Sequence, residues 1–369
     1  MTMVHAVVTG GGTSGHVVPA IAILEMLEEA GHPRTELRYV GSRRGIETTL
    51  MPATGVDSVY LPISGLQRSV SPRSLVRNIV LPFRLLRCRV AARRLLREWN
   101  PRVVVSVGGY ASEPMAAAAI AAGVPLVCVT YDREPGLAVR RQARHAVAST
   151  VAFPDVELPR ARVTGAPVRA ALRRLDPAAA REGARRELGF GTDELVVAVV
   201  GGSLGSGVLN SAVAGIAAEC APIGRVRIHH VCGERNLGDE SPAVPSNVRY
   251  ERVGYEPRMA QLYAACDLIV CRAGASTVAE IATIGVTSVL VPWSGAAGNH
   301  QELNARWLAD ARAAVIVDEQ GCVDGTLART VSRLLVDEDA RGALARAARA
   351  MGEPNRGTAL LQLIENAAG

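Results

Sequence analysis

Short apolar runs alternate with amphipathic stretches along the whole chain. Strand-like runs fall at His5–Thr9, Leu37–Val40, Val56–Leu61, Val103–Val107, Leu126–Val129 and Val147–Phe153, and helical stretches such as Ile21–Ala30, Ile46–Ala53, Leu75–Glu98 and Pro114–Ala122 separate most of them. After an arginine-rich helix at Pro177–Leu188 the plan repeats, with strands expected at Leu195–Val200, Val226–Val231, Val248–Arg252, Leu268–Cys271, Ser288–Val291 and Ala314–Val317. Continuous apolar strands alternating with helices predict parallel sheets covered on both faces. In such sheets ligands sit beyond the carboxyl ends of the strands. Pro354 separates a penultimate helix from a last one at Thr358–Ala367.

The turns at those ends hold the candidate chemistry. Val7–Ala20 reads as a buried strand, a glycine-rich turn and a helix start, with His16 placed where the helix begins. Small residues let a ligand approach the backbone, and the free N–H groups of a helix start attract anions. Gly10-x-Gly12-x-x-Gly15 also fits the dinucleotide fingerprint, which wants an acid near the end of the second strand. Here that strand runs into Gly41-Ser42-Arg43-Arg44, without an acid. Arg43 and Arg44 suit a 2′-phosphate, so an NADP-dependent oxidoreductase stays open beside a sugar or anion role. In the second half, Gly201-Gly202-Ser203-Leu204-Gly205 follows the first strand, and Arg272–Ile281 forms a second small-residue helix start containing Glu280. Pro292–Ala305 gives a polar loop entering a helix, where Asn, His and Gln suit recognition of neutral hydroxyls.

Composition narrows the classes. The 369 residues are 49% hydrophobic with 36 glycines, and 41 Lys+Arg against 35 Asp+Glu leave a net charge of +6. That excess suits phosphorylated substrates or an anionic membrane surface and is too diffuse for nucleic acid. Seven cysteines without a CxxC pair read as small buried hydrophobes in a reducing compartment. An N-terminus entering strand pattern at once predicts no signal peptide, and no apolar run is long enough to span a bilayer. Leu75–Trp99 is different: apolar residues including Ile79, Phe83 and Leu86 surround Pro82 amid eight arginines, Arg73 to Arg97. This is the composition of a segment lying on an anionic membrane or of a core helix with a solvated arginine face, with a break expected near Leu81. The acidic run Asp337-Glu338-Asp339 reads as a solvated turn, not a metal motif.

Six ordered motifs resemble the MurG family of bacterial N-acetylglucosaminyltransferases, which convert lipid I to lipid II. They are Gly11–His16, Gly108-Gly109-Tyr110, Gly165-Ala166-Pro167-Val168-Arg169, Gly201–Gly205, Cys271–Glu280 and His300-Gln301-x-x-Asn304-Ala305. The resemblance spans essentially the whole chain. It implies an α/β, GT-B architecture: two Rossmann-like domains whose parallel sheets face across a cleft. Residues 1–165 would bind the acceptor and the membrane, and 166–369 the UDP-sugar, with the last helix packing back on the N-terminal domain. By similarity Arg169, Ser203, Ala275, Ser276, Thr277, Val278, Glu280, Gln301 and Asn304 hold UDP-N-acetylglucosamine, Glu280 on the ribose and Gln301 with Asn304 near the sugar. Thr13, Ser14 and Gly15 close over it. Tyr110, Thr130 and His16 lie on the acceptor side, toward lipid I, and Ile79, Phe83 and Leu86 fall in the family's membrane-facing patch.

One segment departs from the family pattern. Where the family has His-Glu-x-Asn before a Gly-Leu pair, this chain has Val129-Thr130-Tyr131-Asp132 before Gly136-Leu137. Asp132 replaces the asparagine that reaches the donor, and Thr130 replaces a carboxylate near the acceptor. His16 is the first expectation for the general base, because its ordinary pKa lies near working pH, and Asp132 is the second. Fixed donors at the leaving diphosphate make a metal unnecessary, and no cofactor is expected. The departure keeps a natural-product glycosyltransferase open, and the two-domain plan a UDP-sugar epimerase. The expected location is the cytoplasmic face of the cell membrane, held peripherally.

Overall fold

The computed structural model describes residues 3–65, 72–202 and 205–369, leaving aside the side chains of residues 72–80 and Ala297. The chain divides into two units, 1–170 with 357–369, and 171–356. The first holds a seven-stranded sheet: β1 (Ala6–Thr9), β2 (Leu37–Ser42), β3 (Asp57–Leu61), β4 (Val103–Ser106), β5 (Leu126–Thr130), β6 (Ala148–Val151) and β7 (Ala161–Val163). The second holds six strands: β8 (Leu195–Val200), β9 (Val226–Val231), β10 (Val248–Val253), β11 (Leu268–Cys271), β12 (Ser288–Leu290) and β13 (Val315–Ile316).

Strand order is β3-β2-β1-β4-β5-β6-β7 in one sheet and β10-β9-β8-β11-β12-β13 in the other, and every pairing is parallel. Both are doubly wound Rossmann orders, so each sheet has a switch point, between β1 and β4 and between β8 and β11. The apolar runs form the strands because both faces are covered: all of β1, β4 and β5 is buried. Six of the seven cysteines are buried and all seven are free thiols; burial pushes those of Cys128, Cys220 and Cys266 up to about 12.

The last helix, Ala359–Ala368, packs on β4, β5 and β6 of the first unit. Its Glu365 clasps two imidazoles that stack 3.5 Å apart: His32 Nε2 lies 3.0 Å and His5 Nε2 3.3 Å from the carboxylate. The start of the 166–369 segment also belongs to the first unit, because Glu25 accepts from Arg169 Nε at 2.8 Å and from the Ala170 N–H at 2.7 Å.

Two local expectations change. The Pro72–Trp99 helix runs through Pro82 without a break: proline removes one backbone hydrogen bond, and the helix stays anchored by Cys88, Ala92 and Leu96 in the core. The acidic run is a helix start instead of a turn, since the Asp337 carboxylate caps the Ala340 N–H and Glu338 and Asp339 occupy the first turn of Glu338–Met351. No helix among the described residues is long and apolar enough to cross a membrane.

Candidate functional site

In the first unit the turns after β1 and β4 meet at the switch point. A Cβ on Gly10 would lie 3.2 Å from Val107 Cβ, and one on Gly12 would lie 2.6 Å from the Tyr110 ring. The Ser14–Glu29 helix begins here without a side-chain cap. A buried carboxylate that no local pattern marks fills the turn from behind. Glu47 is fully buried, accepts from the Gly12 N–H at 3.1 Å to both oxygens, and accepts from the Ser42 N–H at 2.7 Å. Tyr39 Oη donates to the Gly10 carbonyl at 2.6 Å, and burial, then the charge of Glu47, pushes that phenol well above its ordinary range. The second strand thus has its acid after all, five residues beyond the strand end, pointing inward. With Gly12 N–H engaged by protein, the turn does not offer that donor to a pyrophosphate, which removes the main support of the NADP reading.

His16 sits against the Gly108–Gly109 backbone. These glycines adopt φ of +86° and +74°, and a Cβ on Gly109 would lie 2.7 Å from His16 Cδ2 and 2.7 Å from the Gly11 carbonyl oxygen. Only glycine satisfies both the backbone and the ring there. Burial lowers the His16 imidazole below its ordinary range; the charge of Asp132, the Val107 carbonyl and Glu47 act in the opposite direction without reversing it. Asp132 and His16 are therefore brought together electrostatically, with Tyr110 across the same turn. Gly15 is near both Thr13 Oγ1 and Tyr131 Oη, at 3.7 and 4.0 Å from a Cβ built on it. Thr13 is exposed, Ser14 is half-buried, and Thr130 is buried at the end of β5.

A groove of about 680 Å³ opens beside Tyr110, lined in part by Ile63, Leu81, Leu85, Ile120 and Leu137. On the Pro72–Trp99 helix Phe83 is 71% and Leu86 61% exposed, with Arg87, Arg93 and Arg94 also facing solvent. The Ile79 side chain lies outside the described residues.

The second unit presents a different turn. Gly274 leads from β11 into the Ala275–Ile284 helix, which has no side-chain cap, so its first N–H groups are not taken by one. Ser276 Oγ is buried there without a hydrogen-bond partner among the described residues. Val278 is buried and Thr277 half-buried in the same turn. Glu280, one turn in, accepts from Tyr263 Oη at 2.8 Å; burial and then the charge of Glu280 raise Tyr263 well above its ordinary range. Ser203 lies outside the described residues. The neighbouring Gly205 is packed so closely that a Cβ would fall 2.2 Å from the Cys232 carbonyl oxygen.

Two expected sugar contacts are engaged with the protein. Gln301 Oε1 accepts from the Trp293 N–H at 3.0 Å, and Asn304, wholly buried, donates from Nδ2 to the Ala273 carbonyl at 3.4 Å. Asn304 thereby braces the turn that starts the Ala275–Ile284 helix. Arg272 supports it from the other side: it donates to Glu319 at 2.7 Å, and Ser294 also bonds that carboxylate. Burial alone would raise the Glu319 carboxyl, but Ser294 and Arg272 hold it below its ordinary range. Arg169 is bound to Glu25 in the first unit, apart from these groups in the fold's own division.

Comparison with known proteins gives the family. Residues 6–148 match the glycosyltransferase family 28 N-terminal domain, and residues 196–357 the glycosyltransferase family 28 C-terminal domain. A UDP-N-acetylglucosamine--N-acetylmuramyl-(pentapeptide) pyrophosphoryl-undecaprenol N-acetylglucosamine transferase of Desulforudis audaxviator (strain MP104C) is 35% identical, covering 99% of each chain. The enzyme of the same name from Mycolicibacterium smegmatis (strain ATCC 700084 / mc(2)155) is 38% identical over 98% of this chain and 93% of its own. Among solved structures, Acinetobacter baumannii MurG superposes with a TM-score of 0.75 at 26% identity, covering 98% of this chain and 99% of that one.

Proposed function

Because the chain belongs to the MurG family within glycosyltransferase family 28, we propose that it transfers N-acetylglucosamine from UDP-N-acetylglucosamine to the C4 hydroxyl of the muramyl sugar of lipid I, giving lipid II. Full-length similarity to enzymes named for that reaction is the observation that carries the reading. The reaction is a direct, inverting displacement. The acceptor hydroxyl attacks the anomeric carbon, the bond to UDP breaks, and the hydroxyl proton passes to a base.

His16 is that base. Its lowered pKa keeps it neutral at working pH, and the nearby charge of Asp132 favours the imidazolium formed as it takes the proton. On the leaving-group side, negative charge grows on the diphosphate. The uncapped start of the Ala275–Ile284 helix and the Ser276 hydroxyl supply fixed donors for it, and Glu280 accepts from the ribose. Thr13, Ser14, Gly15, Arg169, Ser203 and Gln301 complete the donor contacts, and Tyr110 and Thr130 flank the acceptor. The groove beside Tyr110, whose lining adds Arg89, Arg141 and Arg144 to its apolar residues, and the exposed Phe83 and Leu86 amid arginines suit a lipid-linked acceptor and an anionic bilayer, which supports a peripheral position on the cytoplasmic face of the membrane.

The test is an assay of the purified chain with UDP-N-acetylglucosamine and a short-chain lipid I analogue, with and without EDTA. One disaccharide-linked lipid per UDP released, undiminished by chelation, is expected. Free epimerised sugar, or transfer to a soluble aglycone but not to the lipid analogue, would overturn the assignment.

A further inference from the structure

The glycine pair that walls His16 is held by four hydrogen bonds, three of them buried, that run in one direction each side of a single amide. The Gly108 N–H donates to Ser106 Oγ at 3.3 Å, and Ser106 Oγ donates its one proton to Gln142 Oε1 at 2.6 Å. On the other side Gln142 Nε2 donates to Ser112 Oγ at 3.0 Å, and Ser112 Oγ donates to the Gly109 carbonyl at 3.0 Å. Each hydroxyl gives one bond and takes one, so no proton is used twice. Ser106 and Ser112 are wholly buried and Gln142 is 6% exposed.

A glutamine amide is costly to bury, and apolar neighbours such as Val139 and Met115 show that this core accepts hydrocarbon. What the amide gains is a grip on both ends of the Gly108–Gly109 turn, from a helix (Leu137–Ala143) that is otherwise unconnected with it in sequence. That turn is the surface on which the imidazole rests: a Cβ added to Gly109 would fall 3.2 Å from His16 Nε2. A shift of a few tenths of an ångström in the glycine backbone is therefore passed to the ring.

We propose that Gln142, with Ser106 and Ser112, is a positioning residue for His16, fixing the imidazole through the glycine turn. This rests on the reading of His16 as the base. Polarised chains of this kind strengthen one another, so removing the central amide loosens both ends at once. It lies behind the glycine turn, in the lining of the groove beside Tyr110, and reaches the base only through that backbone.

Gln142→Leu keeps the volume and deletes the amide; Ser106→Ala and Ser112→Ala each delete one arm and serve if the leucine variant fails to fold. Turnover is expected to fall about tenfold while KM for UDP-N-acetylglucosamine stays within about twofold, because the donor contacts are elsewhere. The independent readout is the His16 imidazole NMR signal, assigned with His16→Ala: its titration midpoint is expected to move in Gln142→Leu and in both serine variants. Unchanged kcat with an unchanged His16 midpoint in folded variants overturns the proposal, as does a shifted midpoint with no loss of turnover. If His16→Ala itself keeps full activity, the base assignment fails, and the NMR midpoints still decide whether the network positions the ring.

Discussion

The small-residue helix starts at the two Rossmann switch points are finished in opposite ways. In the first unit the turn is filled by the protein: Glu47 holds the Gly12 and Ser42 N–H groups, Tyr39 holds Gly10, and Tyr110 covers Gly12. In the second the Ala275–Ile284 helix starts without a side-chain cap, and Ser276 keeps a buried hydroxyl without a hydrogen-bond partner among the described residues. A glycine-rich turn is therefore not a nucleotide site in itself. Whether its donors are spent inside the protein decides between a scaffold for a side chain, here His16, and a socket for an anion.

The strongest way to break this contrast is His16→Ala. Turnover is expected to drop about 1,000-fold with UDP affinity unchanged, the signature of a lost base. Since burial sets the His16 pKa below the ordinary 6.5, the acid limb of the kcat/KM profile is expected below that value, with the rate falling as pH drops through it. A limb above 6.5, or equal loss of binding and turnover, removes His16 from the role. Next comes Glu47→Ala, which strands two buried N–H donors and is expected to cost about 3 kcal/mol in urea unfolding. A loss below about 0.5 kcal/mol would mean the turn does not depend on its internal carboxylate.

Glu280→Gln sharpens the other side. Replacing a charged acceptor by a neutral one is expected to weaken UDP binding about tenfold by calorimetry, without the stability loss expected at Glu47. Undiminished binding would reassign Glu280 to holding Tyr263 alone. The smallest effect concerns acid. Burial and His32 lower the His5 pKa in spite of Glu365, with Arg102 acting the same way as His32. The folded state then binds fewer protons than the unfolded one, so stability is lost as pH falls below 6.5, and His5→Gln is expected to flatten that slope in a thermal scan.

The strands were legible because burial on both faces writes an unbroken apolar run, as in Leu195–Val200, whereas the switch points depend on a strand order that pairing alone decides. The order of motifs was legible because each is local. Glu47 was not: it lies on a short helix whose own pattern is unremarked, and its three contacts join residues up to 35 positions away. Asn304 was placed near the sugar by similarity alone; its burial against Ala273 depends on tertiary packing that no local pattern records. Pro82 was expected to break a helix that packing at Cys88, Ala92 and Leu96 keeps whole.

The clasp of Glu365 on His5 and His32 means that the first unit is finished by residues synthesised after all of the second. On the ribosome its sheet must wait, with β4, β5 and β6 lacking their covering helix, while 186 further residues, 171–356, are made and folded. An N-terminal fragment ending near residue 170 would emerge with that face bare and is expected to aggregate, whereas the same fragment supplied with residues 357–369 through a short linker should be recovered in solution.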